Sequence, residues 1–271
     1  MSNRLAGRVI VVTGAGGLLG KEHSTAIINE GGIVVMVDVN MQPLRIFYES
    51  LPVELQKRCH ISECDITNEK EVEALLNSLL DQDLHPSGLV NNAAINPSVE
   101  KNTSRFTRLE NLSIRDWDFE ISVGLTGALI CSRVFGIYMV ENKITGSIVN
   151  ISSDHGLISP NQSLYAIPGI APEKQSVKPV TYSVIKHAII GLTKYLATYW
   201  ATDGVRVNSL CPGGVLNGQP EEFLAKFNLE VPMNRAALPT EFRGALIFML
   251  SEESSYMTGS TVVVDGGRSI W

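Results

Sequence analysis

Two side chains four residues apart, Tyr182 and Lys186, form the first pair in this chain whose types could do chemistry. In a helix, positions i and i+4 share a face, so the phenol and the ammonium become neighbours. A nearby cation favours phenolate and draws the tyrosine pKa toward working pH. Such a pair can pass a proton to or from a substrate oxygen. It also recurs by chance, so it needs a hydroxyl beside it. Ser152 and Ser153 supply one, at the end of the apolar run Ser147–Ile151.

A second group of residues could hold a phosphate. Thr13-Gly14-Ala15-Gly16-Gly17-Leu18-Leu19-Gly20 follows the β-branched run Arg8–Thr13 and opens a helical pattern. Glycines let a pyrophosphate approach the backbone, and the helix N-terminus adds unpaired N–H groups and a positive dipole end. The next apolar run, Ile33–Val37, ends in Asp38. A carboxylate there accepts both ribose hydroxyls of an adenosine and repels a 2′-phosphate. Neither Ala15–Leu19 nor Val39 offers a Lys or Arg to neutralise that phosphate. The expected cofactor is therefore NAD and not NADP.

These residues need elements to place them. Strand-length apolar runs alternate with helix-length segments along the chain. The strands are Arg8–Thr13, Ile33–Val37, Cys59–Glu63, Leu89–Val90, Ser147–Ile151, Val205–Ser209 and Thr261–Val264. The helices are Leu18–Glu30, Asn68–Leu80, the long stretch Ile114–Glu141, Tyr182–Ala201 and Leu238–Leu250. Near-continuous apolar strands alternating with helices predict a parallel sheet covered on both faces. Repeats and low-complexity tracts are absent, which predicts one domain over residues 1–271. One stretch breaks the rhythm. Gly156–Pro179 carries Pro160, Pro168, Pro172 and Pro179, too many for a regular element. It falls between Ser153 and Tyr182, so it is expected to lie near the active site.

Composition narrows the function classes. The 271 residues are 44% hydrophobic, enough for a sizeable core, and the net charge is −6. With no long basic run, a nucleic-acid partner is not expected. Cys59, Cys64, Cys131 and Cys211 form no CxxC pair and have no zinc-ligand spacing, so no metal is expected. They read as buried thiols of a reducing compartment. The apolar run Val9–Val12 is too short for a signal peptide or a membrane span. The reading is a soluble cytoplasmic protein with a small-molecule substrate.

Together these residues resemble the short-chain dehydrogenase/reductases, classical branch, over nearly the whole chain. Gly14, Gly16, Gly17, Leu18, Leu19 and Gly20 look like the cofactor loop. Asp65 and Ile66 look like the pair beside the adenine. Asn91-Asn92-Ala93-Ala94 is similar to the family's NNAG. Ser153 falls at the catalytic serine, and Tyr182 and Lys186 at YxxxK. Pro212 and Gly213 resemble the nicotinamide-side PG motif, with Val215 where a backbone amide holds the carboxamide. Val264-Asp265-Gly266-Gly267 resembles the C-terminal signature. The resemblance implies an α/β fold of Rossmann type: a doubly wound parallel sheet of about seven strands, helices on both faces. It implies that Tyr182 is the acid/base, that Lys186 lowers its pKa and binds the nicotinamide ribose, and that Ser153 orients the substrate oxygen. Hydride would pass between NAD and a secondary alcohol or ketone. It further implies a homo-oligomer, dimer or tetramer, packed through the long central helix and the Tyr182 helix. Val134, Ile137, Tyr138, Tyr195 and Tyr199 are the candidate exposed faces. A fainter likeness, in LLGKEH and the proline-rich insert, is to members associated with bacterial surface-sugar and flagellin-glycan synthesis, which points to sugars among the substrates.

Four departures from the family pattern stand out. The loop spacing is TGxxGxxG, as in the extended branch of sugar-nucleotide epimerases. Tyr182 lies 29 positions after Ser153, where the family has about a dozen intervening residues. Tyr165 sits at the shorter spacing but has Gly169, not lysine, four residues on, and is rejected as the base. Gly124 stands where the family carries an asparagine, leaving no side chain to open the central helix and hold a relay water. Asn217 stands near the threonine of PGxxxT and could still donate to the cofactor. Gly124 favours an alternative reading, a dinucleotide-binding protein without turnover. The loop spacing favours another, an epimerase or dehydratase, but the chain is short for the substrate domain those enzymes carry.

Overall fold

The computed structural model describes residues 3–95 and 108–271. Seven parallel strands form one sheet: β1 (Val9–Thr13), β2 (Ile33–Asp38), β3 (Cys59–Glu63), β4 (Pro86–Asn91), β5 (Gly146–Ile151), β6 (Val205–Pro212) and β7 (Thr261–Val264). Their order is β3-β2-β1-β4-β5-β6-β7. Strand order therefore reverses between β1 and β4, which opens a crevice beyond their carboxyl ends, the place where such sheets bind ligands.

The β1 residues alternate between the two faces, as period-2 geometry requires. Ile10 and Val12 pack with α1 (Leu18–Asn29), α2 (Met41–Ser50) and α9 (Arg243–Leu250). Val9 and Val11 pack with α4 (Glu69–Leu80), α6 (Gly127–Glu141) and α7 (Val180–Tyr199). Burying each such side chain contributes about 1.5–3 kcal/mol, so strand register is strongly specified. Inside this apolar frame runs a buried polar chain. Asn91 Nδ2 donates to Asn150 Oδ1 at 2.8 Å and to Ser132 Oγ at 2.9 Å, and Asn150 Nδ2 donates to Thr193 Oγ1 at 2.9 Å. These bonds tie the ends of β4 and β5 to α6 and α7.

Several boundaries differ from the sequence reading. The helices α2, α3 (Val53–Gln56) and α8 (Glu221–Leu229) were not expected. They are short, at 10, 4 and 9 residues, and bury only Leu44 and Phe227 between them, so they carry few apolar positions. The long Ile114–Glu141 stretch is α5 (Ile114–Ile121), a π-turn over Ser122–Thr126, and α6. It is long and apolar enough to cross a membrane, but in this fold much of it is buried against the sheet. The expectation that Gly124 leaves the helix unopened is corrected, because the π-turn widens the helix at that residue without any side chain. The proline-rich insert is irregular, with single 3₁₀ turns at Gln162–Tyr165 and Pro172–Lys174. All four cysteines are buried and free.

Candidate active site

The glycine loop is built by close approach. Gly14 has φ +63°, and a Cβ there would stand 2.7 Å from Ala93 Cα. Asn92 clamps the loop: its Nδ2 donates to the carbonyls of Thr13 (3.0 Å) and Gly14 (3.1 Å). Thr13 Oγ1 accepts from the amides of Asn92 and Ala93 at 3.1 and 3.2 Å. The α1 N-terminus begins at Gly17 with no side-chain cap and no acidic residue in its first turn. Its amides therefore point at the crevice with the positive end of the dipole behind them. At the tip of β2, Asp38 Oδ2 accepts from Gly16 N at 2.9 Å and Oδ1 from Asn40 N at 3.0 Å. This donor set suits a pyrophosphate followed by a ribose.

The crevice continues into a cavity of about 630 Å³. Gly14, Gly17, Leu18, Leu19, Asp38, Asn92, Ala93 and Ala94 line one end. Ser153, Tyr182, Lys186, Pro212, Gly213, Val215 and Asn217 line the other. The remaining residues expected at the cofactor do not line it. Gly16 lies behind Asp38. Gly20 is a packing glycine, since a Cβ there would run into the Gly14 carbonyl. Asp65 accepts from the backbone amide of Thr67 at 2.9 Å, closing the turn after β3. Ile66 is buried against Gly127.

At the Tyr182 end of the cavity the two serines divide. Ser152 Oγ donates to the Lys186 carbonyl at 2.7 Å and locks β5 to α7. Ser153 starts the 3₁₀ turn Asp154–Gly156, and its Oγ donates to Asp154 Oδ1 at 2.7 Å. Lys186 is buried, and its Nζ donates to the Ile151 carbonyl at 2.8 Å. Burial lowers its pKa to about 8, with the charge of Lys178 adding to the effect. Its Nζ lies 5.6 Å from the centre of the Tyr182 ring. The shift at Tyr182 runs against the expectation that Lys186 draws it down. Burial pushes the phenol up to about 12, the Asp154 charge pushes the same way, and a Ser153 hydrogen bond opposes them.

Sequence reasoning missed several groups. Lys178, from the insert, places its Nζ 4.0 Å from the Tyr182 ring centre. His155 meets that ring edge-on at 6.1 Å, and burial lowers its pKa to about 4. Asp154 and His155 directly follow Ser153, a signal that adjacency alone could have raised. Arg268, at the far end of the chain, also lines the cavity, and only folding could reveal it. Elsewhere in the insert, Tyr165 is buried on the cavity wall, its ring tilted against Phe223 with centroids 5.6 Å apart. Gln162 staples the insert by accepting from the Lys178 amide at 2.8 Å. Glu173 and Lys174 are exposed and do not line the cavity.

Comparison with known proteins adds to this geometry. Residues 14–269 match the family model described as enoyl-(acyl carrier protein) reductase. Meso-2,3-butanediol dehydrogenase of Serratia marcescens is 29% identical over 270 residues, 98% of this chain and 96% of that protein. Post-translational flagellin modification protein A of Campylobacter coli is 28% identical, over 97% of this chain and 98% of its own. The crystal structure of a short-chain dehydrogenase from Leptospira borgpetersenii with bound NAD+ superposes with a TM-score of 0.85 at 28% identity. That match covers 99% of this chain and 95% of the other.

Proposed function

Because this chain belongs to the short-chain dehydrogenase/reductase family, we propose that it interconverts a secondary alcohol and its ketone with NAD(H), on a diol, polyol or sugar-derived substrate. The observation that carries this reading is the convergence of Ser153, Tyr182 and Lys186 on the cavity that also holds the glycine loop and Asp38. A nicotinamide dinucleotide bound there supplies the hydride acceptor or donor. The open α1 amides and Gly14 would hold its pyrophosphate, and Asp38 its adenosine ribose. Lys186, Val215 and Asn217 stand at the nicotinamide end. In oxidation, Tyr182 Oη takes the hydroxyl proton as the carbinol C–H bond breaks, and in reduction it returns that proton to the carbonyl oxygen. Ser153 orients the reacting oxygen. With its phenol held near 12, Tyr182 is protonated at neutral pH. Alcohol oxidation therefore rises with pH between 7 and 9, whereas ketone reduction does not. The small diol named for the Serratia relative supports a compact polyhydroxylated substrate. The flagellin modification protein keeps sugar derivatives in the panel. The four buried free thiols suit work in the cytoplasm.

The test is turnover of a panel of secondary alcohols, with meso-2,3-butanediol and hexitols included, under NAD and NADP. NAD should be favoured at least about tenfold, and Asp38→Ala should erode that preference. Equal use of both cofactors by the parent protein would remove the NAD assignment. Tight NAD binding without turnover across the panel would favour the non-catalytic reading.

A further inference from the structure

Ser153 does not meet the cavity alone. Its hydroxyl donates to Asp154 Oδ1 at 2.7 Å, and Arg268 Nη1 donates to the other carboxylate oxygen at 2.6 Å. Both charged side chains are only 4% exposed. Arg268 lies in the tail after β7, and its Nη2 donates to Glu230 at 2.9 Å. Glu230 in turn accepts from Asn161 of the insert. The guanidinium packs 5.1 Å from the Phe227 ring centre. A chain of polar contacts thus runs from the insert through α8 and the tail to the serine beside Tyr182.

Burying two charges is costly, and apolar residues of similar volume often serve stability as well or better. The pair is therefore better explained by placement than by stability. A serine hydroxyl has three staggered χ1 positions and a freely rotating proton. A carboxylate that accepts that proton selects one of them, provided the carboxylate is itself held. Arg268 holds it. Resting on the hydride-transfer reading above, we propose that Arg268 is a positioning residue for catalysis: through Asp154, it keeps Ser153 Oγ in one χ1 well beside the Tyr182 phenol, from which the hydroxyl proton turns from the carboxylate to the reacting oxygen when substrate binds.

Arg268→Met and Arg268→Lys are made in the parent and in a Ser153→Ala background, and assayed with the fastest alcohol of the panel. In the parent, Arg268→Met should lower kcat about tenfold, with KM and NAD affinity within about twofold. Arg268→Lys should recover part of that loss. In the Ser153→Ala background, Arg268→Met should cost nothing further. An equal loss in both backgrounds, or no loss in either, overturns the inference. If Arg268→Met leaves Asp154 uncompensated and fails to fold, the charge-neutral Asp154→Asn/Arg268→Met variant carries the same comparison. A measurement without turnover separates the two readings. The unfolding midpoints of Ser153→Ala, Asp154→Asn and their double variant should depart from additivity by about 2–4 °C. Additivity overturns the inference. Non-additive midpoints without turnover of any alcohol leave the Ser153–Asp154 contact standing but overturn the hydride-transfer reading, and with it the catalytic role given to Arg268.

Discussion

At the scale of single residues, the chemistry turns on which phenol can exchange a proton. Two tyrosines line the cavity, but their surroundings differ. Tyr182 has Lys186 and Lys178 within 5.6 and 4.0 Å of its ring and a hydrogen bond with Ser153. Tyr165 belongs to an apolar cluster with Phe223, Phe227, Leu164 and Val231. Tyr182→Phe keeps the shape and removes the proton, so turnover should fall by about 10²-fold or more with little change in NAD affinity. Tyr165→Phe should retain turnover within a few-fold. Steady-state kinetics on both variants checks the assignment, and near-parent turnover in Tyr182→Phe beside an inactive Tyr165→Phe would reverse it.

Two elements have specific work. Loss of the side chain at Gly124 is matched by a gain at Ile185, since a Cβ on Gly124 would stand 2.8 Å from Ile185 Cγ2. The π-turn and α7 are thereby packed as a complementary pair. Gly124→Ala gains about 1 kcal/mol of helix propensity but overpacks by about 1–3 kcal/mol, so it should destabilise. With Ile185→Ala in place, the same Gly124→Ala should stabilise, and denaturant midpoints read that change of sign. The insert is the second such element. Leu164 and Tyr165 wall the cavity, Lys178 reaches the Tyr182 ring, and Lys226 Nζ of α8 donates to the Ala166 carbonyl at 2.8 Å. Its prolines reduce the entropy lost in holding one shape. Replacing Asn161–Lys178 by a short Gly-Ser linker should leave NAD binding intact while kcat/KM falls at least about tenfold. Unchanged kinetics in the shortened protein would leave the insert no catalytic part.

At the scale of the whole molecule, acid stability and assembly draw on groups outside the reaction. His23 of α1 is fully buried, with no hydrogen-bond partner for either ring nitrogen among the described residues, and burial lowers its pKa to about 4. The unfolded chain therefore binds a proton that the folded one refuses between pH 6.5 and about 4. Stability falls as pH falls through that window, by about 2 kcal/mol at pH 5 from this residue. His155 works in the same direction. Urea unfolding at pH 7 and pH 5 should show the drop, and His23→Leu should shrink it; an equal drop in that variant would assign it elsewhere. For assembly, Tyr195 and Tyr199 are 64% and 63% exposed and stack at 5.9 Å on the outer face of α7, with Ile137 exposed on α6. Tyr138, expected on the same surface, is instead turned inward and bonded to His85 Nδ1 at 2.7 Å. Val134 is half-buried against the core. We propose a homo-oligomer through the α6–α7 face. Light scattering at micromolar concentration should give a mass of at least twice 29.5 kDa, and a particle of that single-chain mass would remove the assignment.

The amino-acid sequence by itself determined the sheet, most of the helices and the motif residues that the fold gathers at one cavity. Period-2 and period-3.6 patterns are local, and Gly14–Gly20, Asp38 and Tyr182–Lys186 announce their roles through neighbours a few positions away. Tertiary structure alone decided which loop residues reach the cavity. Gly16, Gly20, Asp65 and Ile66 belong to the same motifs yet do not line the cavity, because a motif specifies backbone approach as well as contact. Lys178 and Arg268 carry no local signal. One is set by the path of an irregular insert, and the other by a pairing 114 residues away in sequence. The direction of the Tyr182 shift was likewise out of reach of spacing, since i and i+4 bring the ammonium near but do not say how much water the cavity excludes.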